Sequence, residues 1–560
     1  MEGDPFTLSP CASPGKNRRL KGQGEEGGLN SHQISFKLLI AEVKEAGMRI
    51  GIDVGGTNTD AVLMKGMTVV DAVKTPTTPD VSTGITTALR NLLARTRVDP
   101  AAITAVMIGT THFTNAVVER KHLVPTAAVR LGLPATAGLP PMVDWPPDLR
   151  EAIGNHWYLV HGGHEFDGRR ISQPDERELR QVAREIKDKG IRAIAVSSVF
   201  SPVNPEDENW AAEILQDEIP DASITRSHEI GRIGLLEREN AAIMNACLRD
   251  LARRIVTSFR QALAEMNIQA PFYLSQNDGT LMNAEFAEKY PVFTFASGPT
   301  NSMRGAAFLS GVKEAMVVDL GGTTSDVGML IHGFPREASV AVEIGGVRTN
   351  FRMPDVYSFG LGGGSLVKRN PLRIGPQSVG YELTTKAWVF GGDVLTATDI
   401  AVAGGLADIG DRSAVRSLDG SFVREALDLM QRMVDAAVDR MKTSAEPIPV
   451  ILVGGGTILV SRPVAGASEI IRPEHYAVAN AIGAAIAQVG AETDRIFSLA
   501  TMSREEALNQ AKEEAIAKAL AAGAAKETIQ IVDVEEVPLT YLPSNATRIR
   551  VKAVGDLKLE

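Results

Sequence analysis

The chain contains 560 residues, of which 44% are hydrophobic and 22% charged, and its formal net charge is −10. This length can form two or three domains with sizeable cores, and the negative charge argues against nucleic-acid or anionic-membrane partners. The only two cysteines, Cys11 and Cys247, exclude a disulfide scaffold and a cysteine-rich zinc site. No stretch approaches the roughly 18 consecutive apolar residues of a membrane-spanning helix. We therefore predict a cytosolic protein that binds neither nucleic acid nor membrane.

The chain begins with a segment that has little to bury. Residues 1–47 are rich in glycine, serine, proline and charge, a composition typical of disorder. Met48 then opens an apolar run, Met48–Ile52, which predicts the first buried strand. The folded domain is therefore expected to start at residue 48.

The first strand leads into the phrase Asp53-Val-Gly-Gly-Thr-Asn-Thr-Asp60. Adjacent glycines allow φ > 0 and carry no Cβ, so the backbone N–H groups of such a turn can approach an anion directly. The flanking carboxylates would repel a bare phosphate, so they make sense if a cation or a water to be activated lies between them and it. The short apolar stretches after Asp60 predict strands that return through hairpins.

Strands and helices alternate after this hairpin, in a βαβ rhythm that continues to about residue 215. A buried strand that starts near Ala105 ends in a polar loop with three candidates for substrate contact, Thr110, Thr111 and Asn115. The alternative is a capped helix start, in which a hydroxyl or an amide satisfies backbone N–H groups.

A long helix is predicted from about Leu235 to Met266. Its charged run, Glu237–Asn240, predicts a solvated face. The loop that follows the next strand contains Asn277 and Asp278, a second pair of substrate candidates. For this pair the alternative is an ordinary Asx turn.

The phosphate-type phrase then returns as Asp319-Leu-Gly-Gly-Thr-Thr-Ser-Asp326, again after an apolar run, with both aspartates and the Gly-Gly-Thr retained. The duplication favours a split phosphate site over two unrelated hairpins, because two such turns facing each other would hold a polyphosphate from both sides. A Walker loop needs Gly-Lys-Ser/Thr at a helix start, and a dinucleotide fingerprint needs a strand, G-x-G-x-x-G and a helix. Neither context is present, so both of these alternatives are excluded.

A third glycine cluster, Gly454 to Gly456, ends another buried strand. The segment that follows, from Arg472, has Pro473 near a predicted helix start and small residues on most faces. A glycine-rich turn beside a small-residue helix lets a base or ribose approach the backbone. The three turns together supply the contacts that a nucleoside triphosphate needs.

These three elements, in this order, resemble the actin, Hsp70 and sugar-kinase superfamily. That resemblance implies an α/β fold with two lobes, each with a ribonuclease H-like half and a mixed sheet flanked by helices, and ATP in the cleft between them. Within the superfamily, the chain resembles the hydantoinase/oxoprolinase family, specifically the A-type subunit of hydantoin utilisation, over roughly residues 48–490. The further stretches that carry this resemblance are Gly109–Arg120, Glu237–Asn240, Gln276–Gly279, Ser297–Pro299 and Leu361–Ser365.

The resemblance implies ATP-dependent opening of a cyclic amide such as 5-oxoproline or a hydantoin, by phosphorylation of the carbonyl oxygen and attack of water on the activated carbon. The implied catalytic residues are Asp53, Asp319 and Asp326. Asp53 and Asp319 are expected to organise Mg²⁺ through water, while Asp326 and Asp60 support them or cap strands. The expected ATP contacts are Gly55, Gly56, Thr57, Asn58, Thr59, Gly321, Gly322, Thr323, Thr324, Gly454, Gly455 and Gly456.

The resemblance also implies partners and a domain order. Many family members work with a B-type subunit, and a homo-oligomer is the alternative. The long C-terminal extension of the large members is expected to be short or missing here. We predict a disordered extension over 1–47, a first lobe over 48–225, a second lobe over 226–490 and a small α/β segment over 491–560.

Two other functions remain open from the sequence. One is a small-molecule kinase of the same superfamily, which would leave a stable phosphorylated product. The other is a non-catalytic regulatory protein that opens and closes with ATP, whose ATP turnover would not respond to any cyclic amide.

Overall fold

The structure is a computed structural model, and it describes residues 47–78, 81–338, 342–350, 353–500, 502–539 and 546–558. The predicted disordered extension lies outside the described residues except for its last residue, and the first strand begins at Met48. No helix in the described part of the chain is both long and apolar enough to cross a bilayer.

Twenty-three strands and thirteen α-helices lie within these described ranges. The strands are β1 (Met48–Val54), β2 (Asn58–Lys65), β3 (Thr68–Pro76), β4 (Ile103–Thr110), β5 (Thr126–Leu133), β6 (His156–His161), β7 (Ala193–Ser198), β8 (Ser223–Arg226), β9 (Phe272–Ser275), β10 (Thr280–Asn283), β11 (Ala315–Leu320), β12 (Ser325–Ile331), β13 (Phe334–Pro335), β14 (Val342–Ile344), β15 (Val347–Thr349), β16 (Val356–Phe359), β17 (Ser365–Arg369), β18 (Leu372–Ser378), β19 (Ile448–Val453), β20 (Ala467–Ile471), β21 (Gln488–Ser498), β22 (Gln530–Pro538) and β23 (Ala546–Gly555). The helices are α1 (Val81–Thr96), α2 (His112–Glu119), α3 (Pro147–Ile153), α4 (Glu176–Asp188), α5 (Glu206–Glu218), α6 (Leu235–Glu265), α7 (Ala284–Lys289), α8 (Ser297–Ser310), α9 (Leu383–Lys386), α10 (Ala397–Ala403), α11 (Gly420–Met441), α12 (Ala479–Ala485) and α13 (Arg504–Ala521).

One sheet pattern occurs twice. In the larger sheet, β1, β2 and β3 form an antiparallel meander, β4 lies parallel to β1, and β9 lies parallel to β4. In the second sheet, β11, β12 and β16 are antiparallel in the same way, β19 lies parallel to β11, and β20 lies parallel to β19. This repeat of three antiparallel strands and two parallel ones is the duplicated half that the two-lobed α/β prediction requires. The predicted fold class, mixed sheets flanked by helices, is confirmed.

The larger sheet contains nine strands in the order β22-β23-β21-β10-β9-β4-β1-β2-β3. Its strands come from all three predicted segments, 48–225, 226–490 and 491–560. The predicted segments therefore do not correspond to separate sheets, and the domain boundaries stay a prediction. A separate parallel sheet, β6-β5-β7-β8, is inserted between β4 and β9 and packs with α4 and α5.

Helices α8 and α12 cross with their backbones almost in contact. A Cβ at Gly305 of α8 would overlap the carbonyl of Ala479, and a Cβ at Gly483 of α12 would overlap the carbonyl of Asn301. Glycine is required at both positions for this close approach. The crossing brings Asn301 and Ser302 of α8, and Asn480 of α12, to the ends of the two central strands β1 and β11.

Two local predictions from the sequence are wrong. Glu237–Asn240 is not a solvated face, because Arg238 and Glu239 are 0% and 1% exposed. Helix α6 packs on the inserted sheet, where Arg130 Nε donates to Glu239 Oε2 at 2.7 Å and compensates the buried charge. The small-residue helix begins at Ala479 and not near Pro473, because the chain first makes a 3₁₀ turn at Tyr476–Val478.

Candidate functional site

Each repeated phrase forms the turn of a β-hairpin, and the two turns have the same geometry. Asp53 pairs with Asp60 across β1 and β2, and Asp319 pairs with Asp326 across β11 and β12. The amide of Gly55 donates to the carbonyl of Asn58 at 3.0 Å, and the amide of Gly321 donates to the carbonyl of Thr324 at 3.0 Å. The repeat in the sequence is therefore a repeat of backbone conformation.

The two turns touch each other. The hydroxyls of Thr57 and Thr323 are 2.9 Å apart and share a hydrogen bond. A Cβ at Gly322 would lie 2.6 Å from Thr57 Cγ2, so the second glycine of the second turn leaves room for the threonine of the first. Within the first turn, the hydroxyl of Thr59 lies 3.3 Å from that of Thr77, and Gly56 is exposed with open space above it.

Asp53 ends strand β1 in a buried position. Its Oδ2 accepts a hydrogen bond from Asn480 Nδ2 at 2.8 Å, while its Oδ1 is buried and has no hydrogen-bond partner among the described residues. Burial, followed by the repulsion of Asp60 and Asp319, raises the pKa of Asp53 to about 7. A cation placed next to Oδ1 would therefore stabilise the ionised form of Asp53.

The other aspartates have partners. Lys74 Nζ lies 2.6 Å from both oxygens of Asp60, which opposes the rise in the pKa of Asp60 that burial causes. Ser302 Oγ donates to Asp319 Oδ2 at 2.5 Å, and burial again raises the pKa of Asp319. Asp326 accepts from the hydroxyl of Ser358, and burial, with Asp319 nearby, raises the pKa of Asp326 to about 7.

The residues around the ends of β1 and β4 fit a hydrated Mg²⁺. Asp53 Oδ1 and Asn301 Nδ2 lie 2.6 Å and 2.5 Å from the point that a Cβ at Gly109 would occupy, and Asn301 is fully buried with neither side-chain atom hydrogen-bonded within the described chain. Asp53 Oδ1 and Asn301 Oδ1, neither of which has a hydrogen-bond partner among the described residues, are oxygen ligands of the kind that suits Mg²⁺ held partly through water. The described residues contain no cluster of three or more His, Cys, Asp or Glu that would hold a metal ion directly.

The third glycine turn packs directly on the second phosphate turn. Gly454 has φ +86°, and a Cβ there would overlap Asp319 Oδ1 and the carbonyl of Leu320. A Cβ at Gly456 would lie 2.7 Å from the carbonyl of Gly321, whereas Gly455 is exposed and faces open space. The predicted nucleotide contact at this turn stays a prediction, and Gly455 is the glycine of the three with space for a ligand.

The first group of substrate candidates lies beside Asp53. Thr110 ends β4 next to Val54 of β1, and its hydroxyl lies 2.6 Å from His112 Nδ1. Thr111 precedes α2 but makes no side-chain cap, and its hydroxyl donates to the carbonyl of Val54 at 3.4 Å. Asn115 is one turn further along α2 and exposed. Thr111 makes no side-chain cap, but the hydroxyl of Thr110 accepts from the amide of His112, the first residue of α2, at 3.3 Å, which is a contact of the kind that the capped-helix alternative expects.

The second pair of substrate candidates, Asn277 and Asp278, forms hydrogen bonds and an ion pair within the protein. Asp278 Oδ1 accepts from the amide of Thr280 at 3.0 Å, which is an Asx turn. Burial acts to raise the pKa of Asp278, but Lys552, with Nζ 2.7 Å from its Oδ2, holds the pKa at about 2. The carbonyl of Asn277 accepts from Thr300 Oγ1 at 2.9 Å. This loop is therefore tied to the first turn of α8.

Four polar residues of the site escaped the sequence analysis: Lys74, Asn301, Ser302 and Asn480. Lys74 lies on β3, and its spacing from Asp60 in a predicted hairpin is a signal that could have found it. Asn301, Ser302 and Asn480 reach the aspartates only because α8 and α12 cross, and local sequence carries no sign of that crossing.

We expect Ser302→Ala to lower kcat for ATP hydrolysis about tenfold. The hydroxyl donates to a carboxylate, and a hydrogen bond to a charged group contributes about 1.5–3 kcal/mol. Steady-state phosphate release measures the loss. The matched control is Ser310→Ala on the same helix, whose hydroxyl donates to the carbonyl of Ala306 and accepts from the amide of Val312, and contacts no aspartate. Equal kcat values for the two variants would show that Ser302 does not position Asp319.

Two family models match the chain. Residues 49–219 match the hydantoinase/oxoprolinase N-terminal region, and residues 238–408 match the hydantoinase/oxoprolinase model. The two matches contain both hairpin turns and most of the chain between them.

Individual proteins are similar over much of the chain. The alpha subunit of the caprolactamase of Pseudomonas jessenii is 26% identical over 71% of this chain and 59% of its own length. The gamma subunit of the acetophenone carboxylase of Aromatoleum aromaticum is 27% identical over 63% of this chain and 52% of its own length. This chain thus spans between about half and three fifths of these relatives. The solved structure of the ATP-dependent caprolactamase from Pseudomonas jessenii superposes with a TM-score of 0.72 at 20% identity, covering 91% of this chain and 88% of that one.

Proposed function

The chain belongs to the hydantoinase/oxoprolinase family, and on that premise we propose that it opens a cyclic amide in a reaction coupled to ATP hydrolysis. The observation that carries the proposal is the pair of facing Asp-x-Gly-Gly-Thr hairpins, joined through Thr57 and Thr323, with Asp53 and Asp319 at their bases. The threonine hydroxyls of the two turns meet and Gly56 of the first turn faces open space, so a polyphosphate bound at this junction would contact both turns.

An unstrained amide is a poor electrophile, so its oxygen must be made a better leaving group. In the proposed reaction the ring carbonyl oxygen attacks the γ-phosphorus of ATP, and ADP leaves. Water then adds to the activated carbon, the ring C–N bond breaks, and the nitrogen takes a proton to become the amine. A second water displaces phosphate from the resulting acyl phosphate. The products are ADP, phosphate and the open amino acid.

The chain's own residues supply positioning and charge control. The glycine amides and threonine hydroxyls of the two turns orient the phosphates, and positioning of this kind can account for several kcal/mol of the barrier. Asp53, Asp319 and Asn301 would hold Mg²⁺ through water, and the ion would neutralise the charge that develops on the phosphates. Asn480 and Ser302 fix the two carboxylates at the ends of β1 and β11 by hydrogen bonds.

A partner subunit is part of the proposal. The caprolactamase relative is named as an alpha subunit and the acetophenone carboxylase relative as a gamma subunit, so both act within larger assemblies. We propose that this chain provides the ATP-dependent step and that a B-type partner is needed for full turnover. A homo-oligomer is the other assembly that the sequence leaves open.

A phosphate-release screen tests this function. The purified chain, alone and with a B-type partner, is incubated with MgATP and 5-oxoproline, hydantoins or simple lactams, and phosphate and the ring-opened amino acid are measured together. Equal amounts of both products from one ring support the proposal. A stable phosphorylated product would identify a kinase, and ATP turnover that no ring stimulates would identify a regulatory ATPase.

A second candidate function follows from the acetophenone carboxylase relative. The same two turns could direct a phosphoryl group to the oxygen of a ketone in its enolate form, which prepares a carbon atom for carboxylation. Incubation with a ketone, bicarbonate and MgATP distinguishes this function, because it forms a carboxylated product and opens no ring.

A further inference from the structure

A groove of about 600 Å³ lies between the end of α10 and the start of α11. Ala403 and Gly404 form its α10 side, and side chains from residues 412–427 form the remainder. Its volume is within the range of small-molecule sites, about 300–1,000 Å³. We name it the arginine groove, after the three charged residues that line it, Arg412, Arg416 and Arg424.

The floor of the arginine groove is apolar and rigidly packed. Val415, Leu418 and Val423 are 2%, 9% and 6% exposed and belong to the core beneath the second sheet. Leu427, one turn further along α11, extends this floor and is half-buried. A ligand in the groove would therefore rest its carbon skeleton on hydrocarbon that core packing holds in place.

The charge of the groove comes from its arginines alone. Arg412 Nη2 lies 3.6 Å from the point that a Cβ at Gly405 would occupy, and Arg424 Nη1 lies 3.5 Å from the same point at Gly420. One guanidinium therefore stands at the end of α10 and another at the start of α11. All three arginines are exposed, and none forms a hydrogen bond or an ion pair within the described part of the chain.

The aspartates nearest to these arginines in sequence are engaged as caps. Asp411 accepts from the amide and the hydroxyl of Ser413, each at 2.8 Å, and Asp419 accepts from the amides of Ser421 and Phe422 at 2.9 Å and 3.1 Å. These hydrogen bonds, more than the charge of the adjacent arginines, lower the pKa of both aspartates. The groove is lined by none of the four acidic residues of this stretch, Asp408, Asp411, Asp419 and Glu425.

Three cations without a lining carboxylate favour an anionic ligand. The chain has a net charge of −10, so a concave surface lined by three positive charges locally reverses the sign of its field. Guanidinium groups on several sides of one space suit a ligand that offers more than one carboxylate or phosphate, since each can accept paired N–H donors. We propose that the arginine groove binds a small organic anion with two or more phosphate or carboxylate groups.

This site is distinct from the two phosphate turns. No residue of either turn lines the groove. Helix α10 meets the second turn at its other end, where Thr398 Oγ1 donates to the carbonyl of Gly363 at 2.9 Å and the amide of Gly363 donates to the carbonyl of Gly321 at 3.1 Å. Ala403 is five residues beyond Thr398, about 7.5 Å along the helix. The inference does not depend on the proposed function.

Matched ligands test the site. Benzoate and benzene-1,3,5-tricarboxylate share one ring and differ in the number of carboxylates, and fructose 1,6-bisphosphate offers two phosphates. Binding of each to the full chain is measured by calorimetry, with a saturating non-hydrolysable ATP analogue and Mg²⁺ to occupy the phosphate turns. We expect at least one polyanion to bind about tenfold or more tightly than benzoate, and the tighter polyanion identifies the anionic group. No binding of either polyanion, or affinity equal to that of benzoate, would overturn the inference.

Two arginine variants locate the bound anion. Arg416→Gln should weaken binding of the tighter polyanion about tenfold, because one charge-assisted contact is lost. Arg373→Gln is the matched control, because Arg373 on β18 is also exposed and has no hydrogen bond or ion pair among the described residues, but does not line the groove. Equal affinities of the two variants would place the anion elsewhere and overturn the inference. Arg416 is exposed and unpaired, so its replacement leaves the packing of the fold unchanged.

An acidic protein segment is the rival occupant. A peptide of six glutamates is titrated under the same conditions, and tighter binding of this peptide than of both small polyanions would assign the groove to a protein partner and overturn the inference. Weaker binding of the peptide supports a small-molecule site. Failure of the phosphate-release screen would reject the proposed function and leave polyanion binding intact, whereas an empty groove would leave that screen unaffected.

Discussion

Asp319→Ala is expected to lower kcat for ATP hydrolysis by about three powers of ten or more while the fold stays intact. Asp319 is held by Ser302 at the base of the second phosphate turn, and its other oxygen points toward the glycine turn at Gly454. Loss of a group that organises a catalytic metal removes several kcal/mol of charge stabilisation, and each 1.36 kcal/mol is a factor of ten in rate. Phosphate release at saturating MgATP measures the effect.

Two other variants make the result specific to Asp319. Asp326 lies directly across the hairpin from Asp319 and accepts a hydrogen bond from Ser358. Asp326→Ala is expected to lower kcat less than Asp319→Ala, because Asp326 is expected to act only through Asp319. Asp355→Ala removes an aspartate of the same lobe that pairs with Arg336, and it should leave kcat near that of the unmodified chain. Turnover of Asp319→Ala at the unmodified rate would remove the second turn from the site.

Asp53→Asn is expected to abolish ATP hydrolysis and yet make the ligand-free protein more stable at pH 8. Asp53 is 4% exposed, one of its oxygens lacks a hydrogen bond within the described residues, and its pKa is raised to about 7. Its ionised form is therefore unfavourable in the fold unless a cation is bound. The asparagine keeps the shape of the side chain and removes its charge. This change should raise the free energy of unfolding by on the order of 4 kcal/mol at most.

The pH dependence of this gain follows from the direction of the pKa shift. Between about pH 4 and pH 7 the folded protein holds a proton on Asp53 that the unfolded chain releases, so the free energy of unfolding falls as the pH rises through this range. The stability advantage of Asp53→Asn should be small at pH 4, grow toward pH 7 and stay constant above it. Activity of the unmodified chain should rise over the same range, because the ionised carboxylate is the form that can hold Mg²⁺ through water.

Thermal unfolding at pH 4, 6 and 8, with and without MgATP, measures these effects. Asp439→Asn, an exposed aspartate on α11, is the control and should show no pH-dependent difference. MgATP should raise the unfolding temperature of the unmodified chain and of the control but not that of Asp53→Asn. If Asp53→Asn is less stable than the unmodified chain at pH 8, the ionised form of Asp53 does not destabilise the ligand-free fold.

The sequence predicts the two phosphate turns because turn chemistry is local. The glycines, threonines and paired aspartates of each phrase determine the hairpin by themselves, and the structure gives both turns the same hydrogen bond. The fold class follows from the same repeat, since each hairpin begins an identical strand pattern.

The remainder of the site depends on contacts between distant parts of the chain. Asn480 reaches Asp53 across 427 positions of sequence, and it does so only because α12 crosses α8 at two glycines. Glu239 on α6 is buried because Arg130 on β5 pairs with it. Its charge alone predicted a solvent-exposed side chain. Lys552 on β23 neutralises Asp278, which the sequence places more than 270 positions earlier. Patterns within one segment cannot report such pairings.

The most direct test of the proposed reaction follows one oxygen atom. A lactam labelled with ¹⁸O at its carbonyl is turned over with MgATP in unlabelled water, and the phosphate and the amino acid are analysed by mass spectrometry. If the carbonyl oxygen is phosphorylated and both waters attack carbon, the label appears in the inorganic phosphate. Unlabelled phosphate, with ¹⁸O retained in the carboxylate of the opened ring, would contradict the proposed route, in which the carbonyl oxygen leaves with the phosphate.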